Sequence, residues 1–179
     1  MKSRKVLIVI LAAIFSQSCT VREEPSSGEN SFFARLNGEK YVPKTFTHFP
    51  AGTMYGLQAY KEEDSWHISI DNRSEKKIHI FLNDIEQPGT YLIQNVEQEY
   101  PHQFPGITPT SVFIQESVVN FYLPKEETGP EYVEITDVKD SLIIGEFQKI
   151  TLTDPEDANK TALLTAGRFH INLVTLNKN

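Results

Sequence analysis

Alternation of apolar and polar residues with a period of two constrains this chain more than any other feature. Between Ser65 and Asp71, the side chains of Trp66, Ile68 and Ile70 share one phase, and residues Lys77 to Asn83 repeat the pattern. Such alternation is typical of half-buried β-strands. Beyond residue 19, no window shows the apolar spacing of an amphipathic helix. The sequence therefore predicts an all-β domain.

Turn signals separate these segments and set the architecture. Asn37-Gly38 lies between two alternating runs and predicts a hairpin with a type I′ turn, which needs positive φ at both central residues. Further strands are predicted at residues 54–61, 90–94, 111–115, 118–123, 132–137, 142–153, 162–165 and 169–173. Short strands joined by short connections favour an antiparallel β-sandwich or a partly open barrel of about 8–10 strands.

The domain must be stabilised by core burial, because Cys19 is the only cysteine and no disulfide is possible within the chain. A single domain of this length can bury enough apolar surface. The predicted core residues are Phe33 or its neighbours, Trp66, Ile68, Ile70, Ile78, Ile80, Leu82, Tyr91, Phe113, Phe121, Val133, Ile135, Ile143, Phe147, Phe169 and Ile171.

The first 18 residues have the layout of a bacterial export signal. Lys2, Arg4 and Lys5 precede an apolar run over residues 6–15, and a short polar stretch leads to Cys19. The run is far shorter than the roughly 20 residues that a transmembrane helix needs. Residues 1–18 are therefore predicted to be a lipoprotein signal peptide.

Two outcomes of processing remain open at Cys19. Lipidation of Cys19 explains why the sole cysteine lies at the end of the signal, whereas Ser16-Gln17-Ser18 departs from the usual lipoprotein pattern and also fits ordinary signal peptidase. The second outcome would leave an exposed thiol in an oxidising compartment. We predict a lipidated Cys19 with a flexible tether over residues 19–30, followed by a single β-domain over residues 31–179.

Charge excludes one class of partner. Three of the 17 Lys and Arg residues lie in residues 1–18, so the remainder carries 14 basic and 24 acidic residues, a net charge near −10. Nucleic-acid-binding proteins carry basic patches instead. No nucleic-acid partner is therefore expected, and contact with a membrane is expected through the N-terminal lipid.

Several segments taken in order resemble a group of Bacteroidetes lipoproteins of unknown function. The opening Phe32-Phe33-Ala34-Arg35-Leu36-Asn37-Gly38 matches their F-x-A-x-x-N-G start, and Pro88-Gly89-Thr90-Tyr91 matches a central G-T-Y. The closing I-T, G-x-F and T-x-G-x-F series is found at residues 135–136, 145–147 and 165–169. The resemblance implies an exported β-domain and supplies no site residues. Physically, the shared glycines are interpreted as turn or bulge positions and the phenylalanines as core.

The same resemblance bears on location. Glu23-Glu24 is similar to the acidic tract that directs such lipoproteins to the cell surface, although two glutamates in a linker can simply be solvated. The prediction is an exported outer-membrane lipoprotein with surface exposure as one outcome.

Sequence motifs for catalysis are absent: the chain contains no H-E-x-x-H, G-x-S-x-G, P-loop or G-x-G-x-x-G. His67, His79 and His170 have the outward phase of predicted strands, where polar side chains are normally solvated. His67 and His79 could be neighbours with metal-ligating capacity, but no metal or other cofactor is predicted. The acidic groups Glu62-Glu63-Asp64 and Asp154, Glu156 and Asp157 are interpreted as solvated loop charge, with calcium binding as the alternative.

The loop between Glu99 and Gly106 is the best candidate for ligand binding in the sequence. Tyr100 and Phe104 flank Pro101 and His102, and stiff loops on β-scaffolds commonly bind ligands. The aromatic rings could stack on a sugar or a partner, or could fold inward and cap the domain. Tyr100, His102 and Phe104 are therefore predicted ligand contacts.

Three functions are compatible with these features. The first, and the one favoured here, is a non-enzymatic envelope lipoprotein that binds a glycan, a peptide or a partner protein. The second is a structural or accessory subunit of a surface complex. The third is a polymer hydrolase, which would need a pair of carboxylates in a cleft.

Overall fold

The structure is a computed structural model that describes residues 30–48, 52–95, 109–118, 120–125 and 129–178. No helix occurs in these ranges, so the all-β prediction is confirmed. The strands are β1 (Ser31–Leu36), β2 (Glu39–Tyr41), β3 (Phe46–His48), β4 (Gly52–Met54), β5 (Leu57–Glu62), β6 (Ser65–Asp71), β7 (Lys77–Leu82), β8 (Gly89–Leu92), β9 (Ser111–Gln115), β10 (Phe121–Pro124), β11 (Tyr132–Lys139), β12 (Leu142–Thr153) and β13 (Thr161–Asn172). Their number exceeds the predicted 8–10, mainly because β2, β3 and β4 are three-residue strands.

Eleven of the strands form one antiparallel sheet that curls into a half-barrel. The order is β2-β1-β13-β12-β10-β9-β7-β6-β5, and β11 and β8 branch from β12. Strands β3 and β4 form a separate hairpin. Of the two predicted architectures, the partly open barrel describes this sheet.

The predicted turns form where glycine and short polar side chains allow them. Asn37 and Gly38 have φ values of 51° and 85°, as the type I′ turn requires. Strands β6 and β7 form the predicted hairpin, in which Asp71 faces Lys77. The carboxylate of Asp71 accepts a hydrogen bond from the Arg73 amide at 2.7 Å, so the turn is built from its own side chains.

Strands β12 and β13 form a long hairpin at the centre of the sheet. Gly145 faces Phe169, and Phe147 faces Gly167, so each phenylalanine ring covers the glycine opposite. A methyl group on Gly167 would overlap the Phe147 ring, and one on Gly145 would lie 2.5 Å from Phe169 Cζ. Ala166 has a φ of 51° at a bulge against β1, which increases the local curl of the sheet.

The core fills the concave side of the half-barrel, and nearly all predicted core residues are buried there. The core residue predicted to be Phe33 or one of its neighbours is Phe32, which is 3% exposed. Tyr91 is half-buried. Phe113 and Phe121 are also buried, but they belong to a separate cluster with Phe81. The five-stranded part of the sheet from β5 to β10 therefore buries side chains on both faces.

The two ends of the curled sheet are joined by hydrogen bonds to backbone carbonyl groups. The Tyr41 hydroxyl, from edge strand β2, lies 3.1 Å from the Ile70 carbonyl oxygen and 2.6 Å from that of Lys76. Burial raises the pKa of Tyr41 well above its usual value. The Asp71 amide donates to the Gly56 carbonyl, and the Lys44 amide donates to the Asp71 carbonyl. These bonds bring three chain segments together beside Gly56.

Candidate functional site

The predicted ligand contacts Tyr100, His102 and Phe104 lie outside the described residues, as does Cys19. Their roles stay predictions. The site described below is therefore built from the residues of the curled sheet.

The prediction that His67 and His79 are solvated is wrong. Both lie on the outer face of the sheet, but they are only 8% and 7% exposed. They are diagonal neighbours, because His67 faces Phe81 and His79 faces Ser69. The two imidazoles stack on each other with centroids 5.3 Å apart, and they continue the aromatic stack of this face. Two positions at which the alternation places polar side chains are therefore packed against aromatic rings.

A hydrogen-bond chain links this histidine pair to Gln115. His79 Nε2 lies 3.2 Å from Gln115 Oε1, and His79 Nδ1 lies 3.0 Å from His67 Nε2. With the Gln115 amide in this orientation, His79 donates to Gln115 and accepts from His67. His67 Nδ1 is buried and has no hydrogen-bond partner among the described residues. Burial, and secondarily His79, lowers the pKa of His67 to about 3. His67 is therefore neutral over the physiological range of pH.

No group of three metal-ligating side chains occurs within the described ranges. His170 lies on β13 opposite Ser31 and Ile144, far along the sheet order from the other two histidines. In the second acidic loop, Asp154 accepts the Glu156 amide at 2.9 Å and contacts the Lys160 ammonium. Asp154 thus bonds within its own loop, and its side chain is only 15% exposed.

The sheet divides at β12, and this division creates a groove. The first half of β12 pairs with β11 as far as Glu146, which faces Glu134, whereas Leu152 and Thr153 pair with β10. In the gap between the two partners, the Thr151 amide donates to the Glu131 carboxylate at 2.7 Å. A side chain thus replaces a missing strand at the fork.

A groove of about 360 Å³ lies beside this fork. It is lined by Thr90, Pro130, Glu131, Tyr132, Glu134, Glu146, Phe147, Gln148 and Lys149. Its aromatic wall is Tyr132, which is 46% exposed and faces Leu92 on β8. We call it the fork groove.

Some polar side chains of the fork groove bond to neighbouring residues, and others are available to a ligand. Arg168 Nε lies 3.5 Å from Glu146 Oε2 and thereby orients that carboxylate. Glu134, Gln148 and Lys149 make no side-chain hydrogen bond or ion pair with other described residues. The groove therefore combines an exposed ring with donors and acceptors that are not engaged internally.

A larger groove of about 530 Å³ separates the β1–β2 turn from the β6–β7 turn. Its aromatic residue is Tyr41, which is buried and whose hydroxyl is committed to two backbone carbonyls. It offers no exposed ring to a ligand, so the fork groove is the better candidate site.

Sequence reasoning missed the fork groove. The outward phase of Tyr132 and Glu134 was readable from the alternation of β11. What was not readable is that β8 and β12 flank β11, since β8 ends some 40 residues earlier in the chain.

Comparison of the chain with protein-family models, with curated proteins and with solved structures finds no match. The resemblance to Bacteroidetes lipoproteins therefore stays a prediction. In the part of the chain that the structure describes, no helix is long and apolar enough to cross a membrane.

Proposed function

We propose that this protein is an exported, lipid-anchored, non-enzymatic module that binds a glycan in the fork groove. The observation that carries the proposal is the half-exposed ring of Tyr132 beside Glu134 and Gln148, whose side chains make no hydrogen bond or ion pair with other described residues. Exposed large apolar side chains in a concave surface commonly mark ligand sites.

Sugars match this combination of groups. The apolar face of a pyranose can cover the Tyr132 ring, and its hydroxyls can donate to Glu134 and exchange hydrogen bonds with Gln148. Arg168 holds Glu146 in place, so less side-chain freedom is lost when a ligand binds. A single sheet face supplies all of these groups.

Replacing Tyr132 with alanine is expected to weaken glycan binding at least about tenfold, or ~1.4 kcal/mol, because the stacking surface is lost. Screening on a glycan array followed by titration calorimetry measures the effect. Tyr60→Ala is the matched control, since Tyr60 is 44% exposed and lies on edge strand β5. Equal losses in both variants would contradict the assignment of the groove.

Whether the bound sugar is cleaved distinguishes a binding module from a hydrolase. Glu134 and Glu146 are cross-strand neighbours in the groove, and a glycosidase uses a pair of carboxylates that flank the glycosidic bond. We expect the bound oligosaccharide to be recovered uncut after prolonged incubation, as measured by chromatography of the sugar. Cleavage that is lost in Glu134→Gln would replace the binding proposal with the hydrolase.

The lipid anchor at Cys19 has its own test. We expect the wild-type chain to fractionate with membranes and to gain the mass of a diacylglycerol and an acyl chain, because several acyl chains together bind a bilayer firmly. Cys19→Ser is expected to move the protein to the soluble fraction. A wild-type protein with an unmodified thiol in the soluble fraction would contradict the lipid anchor. It would not affect the assignment of the fork groove.

A further inference from the structure

A second groove continues the first one across the fork. It has a volume of about 280 Å³ and is lined by Leu92, Ile93, Gln94, Asn95, Pro124, Lys125, Gly129, Pro130 and Glu131. Pro130 and Glu131 belong to both grooves. The two depressions are therefore contiguous and meet at the division of the sheet.

The strand pairing supports a continuous surface. Thr90, Leu92 and Gln94 alternate along one face of the chain, and Leu92 faces Tyr132 across the β8–β11 pair. The backbone of Gln94 is held by a hydrogen bond from its amide to the Thr110 carbonyl, whereas its side chain makes no hydrogen bond with other described residues. Gln94 thus offers an amide to the second groove much as Gln148 does to the first.

Glu131 is placed to hold both halves together. One of its carboxylate oxygens accepts the Thr151 amide at 2.7 Å, and Glu131 lines both grooves. Each groove alone is at or near the lower limit of about 300 Å³ for small-molecule sites. An extended ligand would use both, whereas a single sugar would use one.

Charge narrows the class of ligand. Arg168 pairs with Glu146, which leaves Glu131 and Glu134 beside Lys125 and Lys149 in the lining of the two grooves, and the whole chain has a net charge of −7. The grooves have no excess of positive charge to bind an acidic polysaccharide, and the net charge of the chain would repel one.

We propose that the two grooves form one cleft for a linear, uncharged oligosaccharide that crosses the fork at Glu131. This inference rests on the proposed function and adds the length and the charge of the ligand. Gln94 and Tyr132 contact different sugars of one chain, so their contributions depend on chain length in different ways.

The test uses the purified full-length protein and linear oligosaccharides of graded length, including cello-, xylo-, malto- and chito-oligosaccharides, with oligogalacturonides as the acidic series. For the family that binds best, we expect the affinity to rise at least about tenfold from the disaccharide to the hexasaccharide. Gln94→Ala should weaken binding of the hexasaccharide and leave the disaccharide unchanged. Tyr132→Ala should weaken both.

The outcomes separate this inference from the proposed function. A disaccharide that binds as tightly as the hexasaccharide, or an oligogalacturonide that binds best, would overturn the extended uncharged ligand and leave a glycan-binding groove. Binding of no sugar in any series would overturn the proposed function itself. Circular dichroism of Gln94→Ala and Tyr132→Ala checks that both variants fold, and Gln58→Ala, an exposed glutamine on β5, is the matched surface control.

Discussion

Replacing Gly56 with alanine is expected to lower the free energy of unfolding by about 3 kcal/mol, because the added methyl group has no space. The methyl would overlap the backbone of Lys44 and lie 2.7 Å from the carbonyl oxygen of Asp71. Both neighbours are backbone atoms, so no side chain can rotate away. The bonds that tie the ends of the half-barrel together would have to separate.

Thermal and urea unfolding measure this effect. For a domain of this size we expect the melting temperature to fall by roughly 6–12 °C. Gly89→Ala is the matched control, because a methyl group there would meet only the Tyr91 ring, at an ordinary 3.6 Å. If Gly56→Ala unfolds at the same temperature as Gly89→Ala, the close approach of the Lys44 and Asp71 backbone to Gly56 is wrong.

Acid is expected to destabilise the fold through His67. The pKa of His67 is about 3 in the folded protein because the side chain is buried, whereas in the unfolded chain it is about 6.5. The unfolded state therefore binds the proton first. The full contribution is present above about pH 6.5, and it is lost as the pH falls from there toward 3. The expected loss is about 2 kcal/mol at pH 5 and about 3 kcal/mol at pH 4.

The variant His67→Phe isolates this contribution. Phenylalanine keeps the stack on Phe81, where the ring centroids are 4.2 Å apart, but it has no proton to gain. Urea unfolding at several pH values should show a stability that depends less steeply on pH between 6.5 and 4.5 than in the wild type. An identical dependence in both proteins would show that His67 is not the group responsible.

The sequence was sufficient for the features that local patterns determine. The bounds of β9 and β12 match the predicted segments, since polar or turn residues mark the ends of each. Predicted strands 162–165 and 169–173 are one strand, β13. The bulge at Ala166 and Gly167 interrupts the alternation without ending the pairing. A phase change in the sequence was thus interpreted as a break.

Long-range pairing explains what the sequence could not provide. Alternation shows which side chains share a face of a strand, but it does not show when both faces are buried. His67 and His79 therefore read as solvated, although Phe81 and Phe113 stack against them. The fork groove depends on which strands flank β12, a property of chain segments distant in sequence.

The reciprocal placement of glycine and phenylalanine in the central hairpin links distant positions in evolution. Phe147 occupies the space that a side chain at position 167 would need, and Phe169 does the same for position 145. Neither member of a pair can vary alone, since a larger residue at the glycine displaces the ring and a smaller residue at the ring uncovers backbone. In descendants of this chain, residues 145 and 169 should therefore covary, as should residues 147 and 167. A substitution at one member of a pair should be accompanied by a substitution at the other.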